Sequence, residues 1–380
     1  MDSGISKYQN LITSLLLNAH FTQNIGLMHG KTGHAVLFYH LTRQTENSAF
    51  ETFAEELIDD IIPVLSTHLP VDFENGLAGI GWGIEYLIQN HFLEADPDEV
   101  LEDFDKQIFL KFMESTPTNI GLLDGVIGTG HYFLMRVRGA KQKQKTVIAE
   151  TNRIALQQIC DHLNLMLSQP ANLLNLTKEP LYHPVSINRT EKTHIDPVPV
   201  FEITWNLPVL IDFLTEMLEL NMPQNNLMIL LTRILIPLQS SCQLPILQCN
   251  RLLLLLSMIK LKNKLQMKLG NVKNEISMLT DMIAEKIMDG FDKEKYDKEL
   301  ESLNFAIRNG IPGIALIHQK LYEQTGDLEY KNEYSTLLNK FIPEEFVRQF
   351  RYDYSNPSKI NEQQLGILQG IAGLLIASLR

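Results

Sequence analysis

His29-Gly30-Lys31-Thr32-Gly33-His34-Ala35 and Asn309-Gly310-Ile311-Pro312-Gly313-Ile314-Ala315 are two copies of one phrase. The agreement continues downstream, where Leu41, Gln44 and Thr45 of the first copy answer to Leu321, Gln324 and Thr325 of the second. Three more copies keep the paired glycines: Gly76 with Gly79, Gly125 with Gly128, and Gly370 with Gly373. Each opens an apolar stretch of helical composition. A recurrence of about 45–60 residues marks a repeat architecture, because one such unit cannot bury its apolar face without a neighbour.

Two decayed copies fill the gap between Gly128 and Gly310. Thr204-Trp205-Asn206-Leu207-Pro208-Val209 precedes the apolar run Leu210 to Leu218, with Asn206 and Val209 in the glycine places. Leu247-Gln248-Cys249-Asn250-Arg251-Leu252 precedes Leu253 to Ile259, with Cys249 and Leu252 in those places. The units then number seven, with first glycine places at 30, 76, 125, 206, 249, 310 and 370.

Between the signatures the sequence is amphipathic. Phe53, Leu57, Ile58, Ile61, Ile62 and Leu65 form one apolar stripe. Asp96-Pro97 is a helix start, followed by Val100, Leu101, Phe104, Ile108 and Phe112 on one face. Val272 to Met288 and Glu329 to Phe341 read the same way. Each unit is therefore an outer amphipathic helix followed by a glycine-led inner helix, the glycines permitting close approach at the inner helix ends. Pro170 to Pro199 breaks the pattern. Its five prolines and lack of period predict a long insertion loop spanning 170–200, a lid or a rim segment, from which His183, His194 and Asp196 could reach a site.

A chain of 380 residues with 44% hydrophobic content can close such a ring as one domain over 1–380. The net charge of -12, with no local basic cluster, argues against nucleic acid or an anionic membrane as partner. The most apolar run lies between Arg251 and Lys260, far short of the ~20 residues a membrane span needs. Leu11 to Leu17 has neither the cationic lead nor the cleavage site of a secretory signal. The expectation is a cytoplasmic protein. Its three cysteines, Cys160, Cys242 and Cys249, form no C-x-x-C pair and are expected to be buried, inert thiols.

The series GLMHGKTG, GLAGIGWGIEYL, LLDGVIGTGHYFL, NGIPGIALIHQKLYEQTGD and GILQGIAGLLIASL resembles the lanthionine synthetase cyclase (LanC-like) family, in order and over nearly the whole chain. The resemblance implies an all-α fold, an α/α toroid of about seven inner and seven outer helices. It also implies an activity: bacterial members close thioether rings in ribosomally made peptides by adding cysteine thiols to dehydrated serine or threonine. Their zinc, held by two cysteines and a histidine, turns the thiol into a thiolate. At the corresponding positions this sequence has Leu247, Arg308 and Asn309, and the acid/base His-Gly of the fourth unit is Trp205-Asn206. A guanidinium has no lone pair to offer a metal, and zinc needs three or four donors close together. The expected protein is thus a degenerate member: no zinc, no other cofactor, no cyclase activity, and a precursor peptide or a peptide-modifying enzyme as partner.

The residues before the first glycine places are His29, Asn75, Asp124, Trp205, Gln248, Asn309 and Gln369, with Glu74 and Arg308 beside them. A closed ring gathers these around its axis. His29, Glu74, Asn75, Asp124, Trp205, Arg308, Asn309 and Gln369 are therefore the candidate ligand contacts in a central cavity. The plainer reading is that they cap helix N-termini, with Arg308 paired to Glu74 or Asp124. Two other functions stay open: a helical-barrel enzyme using Asp72, Glu74, Asp124 and Arg308 in the central cavity on a carbohydrate or other polar substrate, which requires two carboxyls at set separations, and a structural scaffold. The spacing of His29, His34 and His40 does not place all three on one helix face as metal ligands.

Overall fold

The computed structural model describes residues 8–380 apart from 66–68, 116, 143–145, 183–196, 221, 223, 240–243, 270–274, 341–361 and 380. His183, His194, Asp196 and Cys242 lie outside the described residues.

Seven helix pairs run along the described chain. The outer members are Gln9–Ala19, Ser48–Ile61, Pro97–Ser115, Thr146–Leu167, Gln224–Leu235, Glu275–Asp289 and Leu328–Lys340. The inner members, numbered one to seven below, are Lys31–Thr45, Leu77–Gln89, Val126–Gln142, Asn206–Glu219, Gln248–Leu269, Ile311–Thr325 and Ile371–Ser378. Each inner helix packs on the next, and the seventh packs back on the first. The architecture is an α/α toroid. One continuous apolar core runs between the two rings.

Local chemistry explains the boundaries. Asp96 accepts the Asp98 N–H at 3.0 Å ahead of Pro97, and Asn47 accepts the Ala49 N–H at 3.1 Å, so both outer helices start on an Asx cap. Gly326 closes inner helix six at φ 73, a left-handed position suited to glycine. The apolar stripes hold with local exceptions. Leu101, Phe104, Ile108 and Phe112 are buried, but Val100 is 44% exposed; Leu57 and Ile61 are buried, but Ile62 is 59% exposed, beyond the end of its α-helix.

The glycine pairs have a specific cause. The turn before each glycine-led inner helix folds back over the helix's first residues. A Cβ on Gly30, Gly76, Gly125 or Gly310 would collide with the carbonyl oxygen six residues earlier, of Asn24, Pro70, Asn119 and Asn304. A Cβ on Gly33, Gly79, Gly128, Gly313 or Gly373 would strike the carbonyl of Leu27, Phe73, Leu122, Ile307 or Ile367, again six back. Neighbouring units add side-chain contacts, such as Ile367 at Gly33 and Phe73 at Gly128. Close backbone approach within a unit, rather than helix proximity alone, demands the motif.

The Pro170–Pro199 segment is not a loop throughout. Pro170–Thr177 is a helix with proline in its first turn, where the missing N–H costs nothing. Leu181 and Tyr182 then pair antiparallel with Pro199 and Val198, tying the two ends of the insertion together.

Candidate functional site

The glycine turns meet around the axis and are stitched by backbone hydrogen bonds. Met28 donates to the Glu74 carbonyl at 2.9 Å, and Phe73 and Glu74 donate to the Leu123 carbonyl at 2.8 and 3.0 Å. On the other side Ile367 donates to Met28 at 2.8 Å, Arg308 to Leu368 at 2.9 Å, and Ile203 to Arg308 at 2.8 Å. Units one, two, three, six and seven are thereby linked, and unit four is joined directly to unit six. Among the described residues the fifth unit's turn makes no such backbone bond to a neighbouring turn.

What replaces it is visible at its helix start. Gln248 and Cys249 donate their N–H groups to the Glu299 carboxylate at 2.9 and 3.0 Å, while Ile246 and Leu247 donate to Glu179 at 2.8 and 3.0 Å. Asn250, fully buried, donates to Glu179 and to the Val200 carbonyl. The register of bore-facing residues clarifies the frame. Val36 and His40, Trp82 and Tyr86, His131 and Met135, and Leu316 and Lys320 all stand six and ten residues after a first glycine. Asp212 and Glu216 keep that spacing from Asn206, as read from the sequence. Leu256 and Lys260 keep it from Asn250, one residue beyond Cys249, so the fifth frame is corrected by one.

The eight candidate residues are spread around this turn ring, mostly committed to partners. His29, 3% exposed, meets Glu74 at 2.9 Å. The Asn75 side chain accepts from Asn24 at 2.8 Å, Asp124 from Asn119 at 2.6 Å, and Asn309 from Asn304 at 2.9 Å. Asn24, Asn119 and Asn304 in turn accept the N–H two residues on, forming Asx turns. Trp205 is buried, its indole N–H donating to the Lys178 carbonyl at 2.9 Å. Gln369 is exposed beside a separate recess with Asn304 and Phe305. Arg308 pairs with neither Glu74 nor Asp124. Its Nε and Nη2 donate to Glu202 at 3.0 and 2.7 Å, and Thr204 donates to the same carboxylate at 2.6 Å. Glu202 could not be singled out from sequence, because it belongs to the segment entering unit four and not to a glycine signature.

The donor set does not fit the zinc that the family resemblance implies. Arg308 is a cation bound to a carboxylate, Asn309 is engaged in its own turn, and the fifth-unit position is Leu247 or, in the corrected frame, Gln248, whose Oε1 accepts the Asp292 N–H. Cys249 is buried, and burial together with Glu299 pushes its thiol well above the ordinary range. Among the described residues no group of three His, Cys, Asp or Glu side chains is placed to hold a metal.

The carboxylates considered for sugar chemistry are similarly occupied. Asp72 accepts the Asn75 and Gly76 N–H groups at 2.7 and 3.1 Å, Glu74 faces His29, and Asp124 holds Asn119.

Inside the bore is a cavity of about 420 Å³. Leu27, Phe73, Leu122 and Ile367, each three residues before a first glycine, form part of its wall; Trp82, Tyr86, His40, His131 and Met135 come from the inner helices. Arg138 and Glu216 also line it, 3.2 Å apart. None of the eight candidates lines this cavity. The signal that finds its lining is the fixed offset of three before, and six and ten after, each first glycine.

No protein-family model matches the chain, and none of the curated proteins compared with it matches. Among solved structures the chain is similar to a nisin cyclase, with a TM-score of 0.54, 15% identity, and coverage of 98% of this chain and 94% of that one. At that identity the likeness establishes the fold. It agrees with the toroid expected from the glycine series. Among the described residues no helix is long and apolar enough to cross a membrane.

Proposed function

We propose that this protein is a LanC-like toroid of ribosomal peptide modification that binds a peptide or a peptide-modifying enzyme and does not itself close thioether rings. The observation that carries this reading is the Arg308–Glu202 pair, 2.7 Å apart, where the family resemblance puts a zinc ligand. A guanidinium held on a carboxylate has no lone pair to offer a metal. The shared fold supports the peptide-modification setting, and a half-exposed Arg308 leaves donors for a peptide carboxylate. The carbohydrate-enzyme reading is weaker, because its carboxylates serve turns.

Two measurements test the proposal. Elemental analysis of the purified protein is expected to find no stoichiometric zinc; one tightly held zinc per chain, lost on replacing Cys249, would restore a cyclase. A cysteine-containing dehydrated precursor peptide is expected to bind without ring closure, with about tenfold weaker affinity for Arg308→Ala. Unchanged affinity together with a lowered melting temperature would make Arg308 structural and favour the scaffold.

A further inference from the structure

The bore cavity adjoins the turn ring, whose Leu27, Phe73, Leu122 and Ile367 side chains form part of its wall, but it is lined by none of the residues used in the reading above. It is a partly open cavity of about 420 Å³, within the size range of small-molecule sites. Its wall is not a smooth aliphatic surface. Trp82 and Tyr86 stack with ring centroids 5.2 Å apart and planes 12° apart, and Phe73 meets Trp82 edge-on at 5.9 Å. His131 lies 6.2 Å from Phe73 across the neighbouring turn. At the same register the other units carry Val36, Asp212, Leu256, Leu316 and Ile376, so the rings at this level are concentrated on the side of units two and three.

Two polar groups on this wall, the Trp82 indole and the His131 imidazole, make no hydrogen bond among the described residues; His131 Nδ1 stands 4.0 Å from the Glu216 carboxylate. Burial lowers the His131 pKa, which keeps the ring neutral, with one nitrogen donating and the other accepting. His40 and Tyr86 satisfy each other at 2.8 Å. The charges at the cavity end are also balanced, since Arg138 contacts both Glu216 and Glu219 at 3.2 Å. An occupant therefore meets aromatic side chains, two ring N–H or N groups without a hydrogen bond, and no unpaired charge.

We propose that the bore cavity is a binding site for a neutral planar aromatic molecule of about indole's size, stacked against the Trp82–Tyr86 wall and hydrogen-bonded at its edge to His131. The site does not depend on the peptide reading. Calorimetric titration of the full-length protein with indole is expected to show saturable one-to-one binding at least tenfold tighter than cyclohexylmethanol, which has similar bulk and a hydroxyl but no aromatic face. Val36→Phe, which narrows the cavity, and Trp82→Leu, which removes the indole ring from its wall, are each expected to weaken indole at least tenfold, with folding checked by circular dichroism. Equal affinity for the two probes, indole binding unchanged in either folded variant, or no saturable binding to wild type would overturn the proposal. Should both variants fail to fold, the two-probe comparison on wild type decides alone.

Discussion

Gly313 and Arg136 show two different ways in which one residue constrains this molecule. At Gly313 the backbone φ is ordinary helix, and the constraint is space: a Cβ would collide with the Ile307 carbonyl and press on Phe201. Gly313→Ala is expected to cost about 1–3 kcal/mol, as overpacking does, measured by urea denaturation. The position could be picked out from sequence by repetition; the carbonyl that requires it could not. Arg136 is the reverse case. It is 1% exposed and holds Glu85 at 2.8 Å, Asp98 at 3.1 Å and Asp105 at 2.9 Å, tying an outer helix to inner helices two and three. Arg136→Met would leave three carboxylates without their cation, a loss of about 3–5 kcal/mol, read as a lowered melting temperature. Nothing in the repeat marked it, because its partners are far apart in sequence.

Among the elements, inner helix five departs most from the repeat. Without a glycine turn its first N–H groups have no local acceptors, so carboxylates from elsewhere in the chain supply them. Glu299, on the short helix Lys293–Glu301, accepts two of these N–H groups. Glu299→Gln keeps the shape but removes the charge facing the helix N-terminus, and is expected to cost about 1 kcal/mol, with the loss reduced at high salt. Thermal melts at two salt concentrations check it. Decay of the glycines at units four and five was legible in sequence. The compensating glutamates were not, since capping from a distant segment leaves no local pattern.

Over the whole molecule, the ring closes where the seventh inner helix meets the first, and this buries His34 completely. Burial lowers the His34 pKa to about 4 and that of His318 to about 3. Between about pH 6.5 and those values the unfolded chain binds protons that the folded chain refuses, so stability falls as pH falls. For His34 the full window is worth about 3 kcal/mol at 1.36 kcal/mol per unit. Glu85, held above its usual range chiefly by burial, acts in the opposite direction, so the informative comparison is His34→Leu against wild type. The variant is expected to lose less stability between pH 7 and pH 4.5 in urea titrations; an equal loss would show that His34 is not the source. The sequence by itself determined the helical class, the seven-unit count and the outer and inner roles, because repetition and helical periodicity are local properties that survive one unit at a time. Only the tertiary structure decided that Arg308 pairs with Glu202, that unit four bonds to unit six, and that the cavity is lined by Trp82, Tyr86 and His131. Those relations exist only after the ring has closed, when side chains from different units come to share one space.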